Sequence, residues 1–232
     1  MNTERIAAWL RGHEIELDTS RPRGSGAFYR VFEGRFGIQR CAVSISKERW
    51  EDVTHQEPER MRKDYNTLCT LGAGGVLRAI HLVAMFSVFQ DVDGHLVHIW
   101  ELADPAESAD RTKTLRTIMD ARSTGMDRAE AVRFFQMVAA GINSLKVAGF
   151  RHGDLKPENV LAFGEALKLG DLSQIKHIGD EPPSSTGVHN LKYCPHGDDW
   201  RRNDPYAWDT YAMVLMYVEA RTGRYPFGDT CE

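Results

Sequence analysis

No stretch of this sequence stays apolar for long. The richest run, from Val76 to Phe89, is broken by Arg78 and His81, and nothing reaches the ~18 residues that a membrane-spanning helix needs. The N-terminus, MNTERIAAWLRGHEIE, has no apolar segment as long as a secretory leader requires. Its short apolar part reads as an amphipathic helical turn. An excess of one charge is lacking too. Twenty-nine Lys and Arg face 33 Asp and Glu, a net charge of −4, and the isoelectric point is near 6.1. The strongly basic footprint of a nucleic-acid-binding protein is therefore missing. Cysteine is sparse and scattered (Cys41, Cys69, Cys194 and Cys231), with no C-x-x-C pair. This argues against a disulfide framework and for reduced thiols in a cytosolic protein. Cys194 has His189 and His196 nearby, but the spacing matches no closed zinc pattern. Internal repeats and low-complexity tracts are absent.

What is present is a globular composition, 42% hydrophobic and 27% charged over 232 residues. It excludes a disordered chain, a collagen and a coiled coil, and the chain is long enough to bury a core without staples. The first third mixes strand-like runs with one helix. Phe28–Phe36 and Arg40–Ser46 read as strands around the turn Gly37-Ile38-Gln39. A helix follows over Pro58–Leu71, with Met61, Tyr65, Leu68 and Leu71 on one face, and the glycines from Gly72 to Gly75 stop it. Val76–Gln90 and His95–Leu102 read as two more strands joined at Asp91-Val92-Asp93-Gly94. Beyond them the pattern turns helical. Asp127 with Glu130 opens a helix whose buried face is predicted as Val132, Phe135, Val138, Ile142 and Leu145, ending at Gly149. A segment near Trp208–Ala220 is hydrophobic almost all round and is predicted to be buried. The expected architecture is α+β: a strand-rich small lobe, a joint at Glu101–Ala106, and a helical large lobe, with a cleft between lobes as the natural ligand site.

One constellation carries chemistry. The run Arg151-His152-Gly153-Asp154-Leu155-Lys156-Pro157-Glu158-Asn159-Val160-Leu161 is followed by Gly170-Asp171-Leu172-Ser173, with Asp171 twelve residues after Asn159. Phosphoryl transfer needs positioning and cations that neutralise the phosphates, with little covalent help from the protein. Asp171 and Asn159 are hard oxygen ligands of the kind Mg²⁺ takes alongside water and phosphate. Asp154 is placed to orient an acceptor hydroxyl and take its proton, and Lys156 to sit against the transferred group.

At these residues the chain resembles the eukaryotic-type protein kinase superfamily, whose catalytic loop reads H-R-D-L-K-P-E-N where this chain has HGDLKPEN. Lysine two residues after the aspartate is the serine/threonine-type pattern. Further resemblances fall in order from Leu17 to about Gly228. Gly24-Ser25-Gly26-Ala27-Phe28-Tyr29-Arg30-Val31 is similar to the glycine-rich turn that covers nucleotide phosphates, with Tyr29 where the third glycine is usual. Cys41-Ala42-Val43-Ser44 takes the place of V-A-I-K. Ala42 and Val31 are then expected against adenine. Trp100 is expected as gatekeeper, with the Glu101 carbonyl and the Ala103 backbone bonding the base. Asp209, at the head of the buried helix, is expected to brace the catalytic loop, and Arg221–Phe227 matches the turn after that helix.

The resemblance implies a kinase-like domain over residues 17–228 behind an N-terminal extension over 1–16. Its N-lobe is 17–102, its hinge 101–106 and its partial C-lobe 107–228, without the family's last helices. ATP and Mg²⁺ are the implied cofactors, a protein the implied substrate, and the cytoplasm the implied location, with no nucleic acid and no membrane within the chain.

The pattern breaks in four places. Ser44 replaces the V-A-I-K lysine, because strand alternation puts Ala42, Ser44 and Ser46 on one face and Lys47 on the other. Asp64 stands where the helix glutamate that pairs with that lysine is expected, so the ion pair is absent or rebuilt, with Lys47, Lys63 and Arg30 as substitute cations. Gly153 replaces the arginine that receives a phosphorylated loop, although Ser184, Ser185 and Thr186 are present. Cys194-Pro195-His196 stands for A-P-E without its glutamate. The sequence stops at Glu232, roughly where the last helices would begin, which reads as a minimal protein or as a truncated chain. Either way a covering partner or a missing C-terminal segment is expected over the helix around Tyr211–Val218. Three functions fit these residues: a serine/threonine protein kinase of lowered activity, a non-catalytic nucleotide-binding pseudokinase, and a small-molecule phosphotransferase like the aminoglycoside and choline kinases, which share the triplet H-G-D.

Overall fold

The computed structural model describes residues 2–25, 28–47, 57–107, 111–172, 175–178, 191–195 and 206–228. They form two compact units. The first comprises Met1–Arg78 and Val83–Lys113, and the second Ala79–Leu82 and Thr114–Glu232.

The first unit begins with helix α1 (Thr3–Arg11), capped by Asn2, whose side chain accepts from the Arg5 N–H at 3.2 Å. Strands β1 (Ile15–Ser25), β2 (Tyr29–Phe36) and β3 (Gln39–Ser46) lead to helix α2 (Glu57–Ala73), then β4 (Met85–Val92) and β5 (His95–Glu101). They make one antiparallel sheet in the order β1-β2-β3-β5-β4. Alternation sorts its two faces. Cys41, Val43 and Ile45 of β3 join Phe32, Val97 and Ile99 in a core completed by Ile6 and Leu10 of α1. Val31, Ala42, Ser44, His98 and Trp100 are paired across the strands on the opposite face. Between β4 and β5, Asp93 (φ 51°) and Gly94 (φ 83°) form the two-residue left-handed turn that suits a twisted hairpin. Glu33 is buried against Arg23 and Arg40. Burial opposes its charge, yet the two guanidinium groups outweigh that and hold its carboxyl below the usual carboxylate range. Burial, with Glu33 nearby, pushes the Cys41 thiol up to about 11, so it stays an inert thiol.

The run Val76–Gln90 is not one strand. Val76–Arg78 forms a 3-10 turn, and β4 starts only at Met85. Ala79–Leu82 belongs to the second unit, where Leu82 bridges Leu169 and the His81 ring meets the Leu167 carbonyl at 3.2 Å. A partner 87 residues away in sequence thus overrides a local apolar run.

The second unit contains α3 (Leu115–Asp120), α4 (Arg128–Val147), β6 (Phe150–Arg151), β7 (Val160–Phe163), β8 (Ala166–Leu169), β9 (Lys176–His177) and α5 (Ala207–Thr222). Asp127 caps α4 through the Glu130 N–H at 3.0 Å, as predicted. The buried face of α4 runs Ala131, Phe134, Phe135, Val138, Gly141, Ile142 and Leu145. Val132, predicted inside, is 38% exposed, because in the first turn the buried face passes through Ala131 instead, while Phe135, Val138, Ile142 and Leu145 are inside as predicted. Gly141 lets α4 lie close to its neighbours. A Cβ there would meet the His81 carbonyl oxygen and the Leu169 side chain, each at 2.8 Å. Helix α5 is buried on one side rather than all round. Trp208, Asp209, Ala212, Leu215, Met216, Glu219 and Ala220 are inside, while Val214 is 51% exposed. Among the described residues no helix is long and apolar enough to cross a membrane.

Candidate functional site

The loop from His152 to Asn159 is shaped by its backbone before its side chains do anything. Asp209, buried at the start of α5, accepts from the His152 N–H at 2.7 Å and from the Gly153 N–H at 2.9 Å, the brace expected of it. Gly153 has φ 76°. A Cβ there would meet only the Lys176 side chain at 3.7 Å, so glycine supplies conformation rather than space. The His152 Nε2–H donates to the Gly170 carbonyl at 2.8 Å while Nδ1 accepts from the Asp154 N–H at 3.4 Å. These two bonds fix the tautomer. Gly170 in turn donates to the Asn159 carbonyl at 2.8 Å. A Cβ on it would strike the Leu161 side chain at 2.9 Å, so any larger residue there must push Leu161 aside.

Three of the predicted side chains gather on this frame. Lys156 Nζ donates to Asp154 Oδ2 at 2.6 Å. The Asn159 amide nitrogen donates to the Asp154 carbonyl at 2.8 Å and to Asp154 Oδ2 at 3.3 Å. Asp154 and Lys156 are half-buried and Asn159 is buried. Asp171 is tied to the group through Gly170. It is one of three described non-glycine residues with positive φ, at 53°. Such a conformation costs on the order of 1 kcal/mol. Asp93, another of the three, is explained by its hairpin turn. Asp171 lies in no hairpin and is held between the doubly bonded Gly170 and the fully buried Leu172.

In the first unit, Gly24 is exposed on β1 in register with Val31, and a Cβ on it would meet nothing within 4 Å. Gly26 lies outside the described residues, as do Ser173, Ser184, Ser185, Thr186, His189, His196 and Cys231. Ala42 and Val31 are half-buried. Trp100 is opposite Ala42 and Met85. Glu101 closes β5, donating its N–H to the Ala84 carbonyl at 2.8 Å and accepting from the Ala84 N–H at 3.3 Å. Ala103 is 5% exposed, and its backbone N–H and C=O bond no other described residue. Ser44 is buried, with Val31 and His98 directly opposite. None of the substitute cations is in register with it. Arg30 pairs with Ile45 and so belongs to the other face, while Lys47 and Lys63 are exposed. Asp64 lies on α2, with its side chain outside the described set.

Sequence reasoning missed two features. One is His98, buried with no partner for Nε2 among the described residues, a condition that costs about 1–3 kcal/mol. Alternation along His95–Leu102 places it on the Trp100 face. The other is a polar knot in the second unit. Arg116 on α3 donates to Glu158 at 2.9 Å, to Glu219 at 3.0 Å and to the Tyr193 hydroxyl at 2.5 Å. The Tyr193 hydroxyl donates to Glu219, and Lys192 reaches the same carboxylate at 3.2 Å. The knot ties the segment before Cys194-Pro195 to α5, where the glutamate of A-P-E is missing. Burial opposes ionisation of Glu219, but bonds from Arg116 and Tyr193 outweigh it and hold the carboxyl low. Burial and the Glu219 carboxylate together push the Tyr193 hydroxyl well up. No signal in the sequence links these residues, which lie as many as 103 positions apart.

Comparison with known proteins agrees with this arrangement. The protein kinase domain family matches residues 18–232. The chain belongs to that family. This kinase domain is 23% identical over 247 residues to serine/threonine-protein kinase hal4 of Schizosaccharomyces pombe, an alignment covering 95% of the chain and 38% of hal4. It is 27% identical over 214 residues to the serine/threonine-protein kinase H1 homolog of Danio rerio, covering 89% of the chain and 46% of that protein. To serine/threonine-protein kinase PknE of Mycobacterium bovis it is 23% identical over 210 residues, covering 88% and 34%. The kinase domain thus spans less than half the length of each of these relatives.

Proposed function

We propose that this kinase domain transfers the γ-phosphoryl group of ATP to a serine or threonine hydroxyl of a protein, at a rate lowered by the loss of the V-A-I-K lysine. The observation that carries the reading is the cluster of Asp154, Lys156 and Asn159 on a braced backbone. The donor set fits Mg²⁺. The Asn159 amide nitrogen is spent on Asp154, which leaves its oxygen as an acceptor, and Asp171 adds a carboxylate next to Gly170. Asn159 and Asp171 would hold the metal, whose charge neutralises the phosphates when it is bound. Asp154 orients the acceptor hydroxyl and takes its proton. Lys156, already bonded to Asp154, offers its remaining N–H donors to the transferred group. The Ala103 backbone groups, with Ala42 and Val31, suit an adenine ring, and Gly24 leaves room for close approach of phosphate.

A second reading, the non-catalytic pseudokinase, is favoured by one observation: Ser44 is buried opposite Val31 and His98 with no lysine or arginine in register. Removing one charged group from the phosphates typically costs on the order of 10²–10³ in rate, so slow transfer is the expected result. Radiolabel from ATP should reach a generic protein substrate or the domain itself, and should vanish in Asp154→Ala. Stabilisation by ATP and Mg²⁺ without turnover would establish the pseudokinase, and transfer that persists in Asp154→Ala would remove the assignment of Asp154.

A further inference from the structure

The sheet face that carries Ala42 and Ser44 also carries a buried imidazole. His98 stands opposite Ser44 on β3 and Val88 on β4, and it is 1% exposed. Its ring is fixed on two sides, by Tyr29 at 5.0 Å and a 43° tilt and by Trp100 edge-on at 5.8 Å. Its Nε2 is buried with no hydrogen-bond partner among the described residues. Buried polar atoms in native proteins are as a rule satisfied by protein, water or ligand. An apolar ring would fill the same space without the penalty, so packing alone does not account for a histidine here. Burial pushes its pKa down to about 3, which keeps the ring neutral. Of the two residues opposite Ser44, Val31 offers only methyl groups and His98 offers a donor.

We propose that His98 does for the nucleotide what Ser44 is too short to do: its Nε2–H donates a hydrogen bond to a phosphate oxygen of the bound nucleotide. The inference rests on the nucleotide-binding reading above. Tyr29 is half-buried where His98 is buried, so the nucleotide reaches Nε2 by turning the Tyr29 ring aside. A hydrogen bond to a charged group sets the size of the effect.

Calorimetric titration of the whole chain with ATP plus Mg²⁺, and separately with adenosine, tests this. His98→Phe keeps a ring and removes the donor. It should weaken ATP binding about 10- to 100-fold and leave adenosine binding unchanged. His98→Gln, which restores a donor, should recover part of the loss. ATP binding equal to wild type in His98→Phe overturns the proposal. An equal loss for ATP and adenosine also overturns it, by showing that the ring only packs. Should His98→Phe fail to fold, the imidazole nitrogen resonances of the wild type read the same interaction. They should move with ATP and Mg²⁺ but not with adenosine, and resonances unmoved by ATP overturn the proposal. Wild type that binds neither ligand overturns the nucleotide-binding reading itself, an outcome distinct from the others.

Discussion

Around Asp154 in the second unit, polar groups are held by partners on all sides: His152 by Gly170, Gly153 by Asp209, Asn159 and Lys156 by Asp154. Around Ser44 in the first unit the opposite holds. The short side chain of Ser44 is buried opposite a neutral imidazole, His98, whose ring lies against Tyr29 and Trp100 and whose Nε2 has no partner among the described residues. The difference follows from how each region is built. The loop keeps its shape through bonds that interlock, many of them made by backbone groups. Ser44 sits on a regular strand whose ladder is made by backbone groups, so its side chain is not needed to hold the strand in place. The residues that match the kinase catalytic loop are kept where the architecture is cooperative, and the lysine of V-A-I-K is replaced where it is not.

The comparison is broken most directly at Asp154. Asp154→Asn should lower phosphoryl transfer about 10²–10⁴-fold, measured by radiolabel from ATP, while the unfolding midpoint stays close to wild type. A midpoint that falls together with activity would mean that the carboxylate holds the loop rather than acting on substrate. Next in size is Glu219→Ala. It deprives Arg116, Tyr193 and Lys192 of a shared buried acceptor and should cost about 3 kcal/mol in urea unfolding, the low end for a buried pair because Arg116 keeps Glu158. Gly141→Ala follows. Helix propensity alone favours alanine by about 1 kcal/mol, but the contacts at 2.8 Å predict a net loss of about 1–3 kcal/mol.

The last effect, in the first unit, is graded by pH and vanishes at neutral pH. The folded state keeps His98 neutral, whereas an unfolded histidine takes up a proton near pH 6.5. Stability from this group is therefore full above pH 6.5 and falls as pH drops toward 3, by about 1.4 kcal/mol per pH unit. His98→Phe should flatten that limb. The Glu33 and Glu219 carboxyls, held low in the folded state, add their own loss only below about pH 4.5.

Much of the fold was legible because its signals are local. The Asp93-Gly94 turn, the Asp127 cap and the glycine after α4 each act within a few residues. The phosphotransfer motif was legible because most of it lies within eight consecutive positions, and the Asp209 brace followed from its family. Legibility ended where distance in sequence took over. Val76–Gln90 carried the hydrophobicity of a strand, but Leu82 is recruited by Leu169. The face of α4 was misjudged by one position because alanine, being small, reads equally well inside or outside. The knot around Arg116 and the contact between the Tyr29 and His98 rings depend on packing that no local pattern encodes.

The tetrapeptide Ala79–Leu82, claimed by the second unit from within the span of the first, bears on how this molecule can be taken apart. A protease or an expression boundary at Lys113 leaves it on the wrong fragment, and with it the main-chain partner of Leu169 and the surface that Gly141 abuts. Neither unit is a continuous piece of polypeptide. On the ribosome, these four residues emerge long before the helix and strands that will receive them.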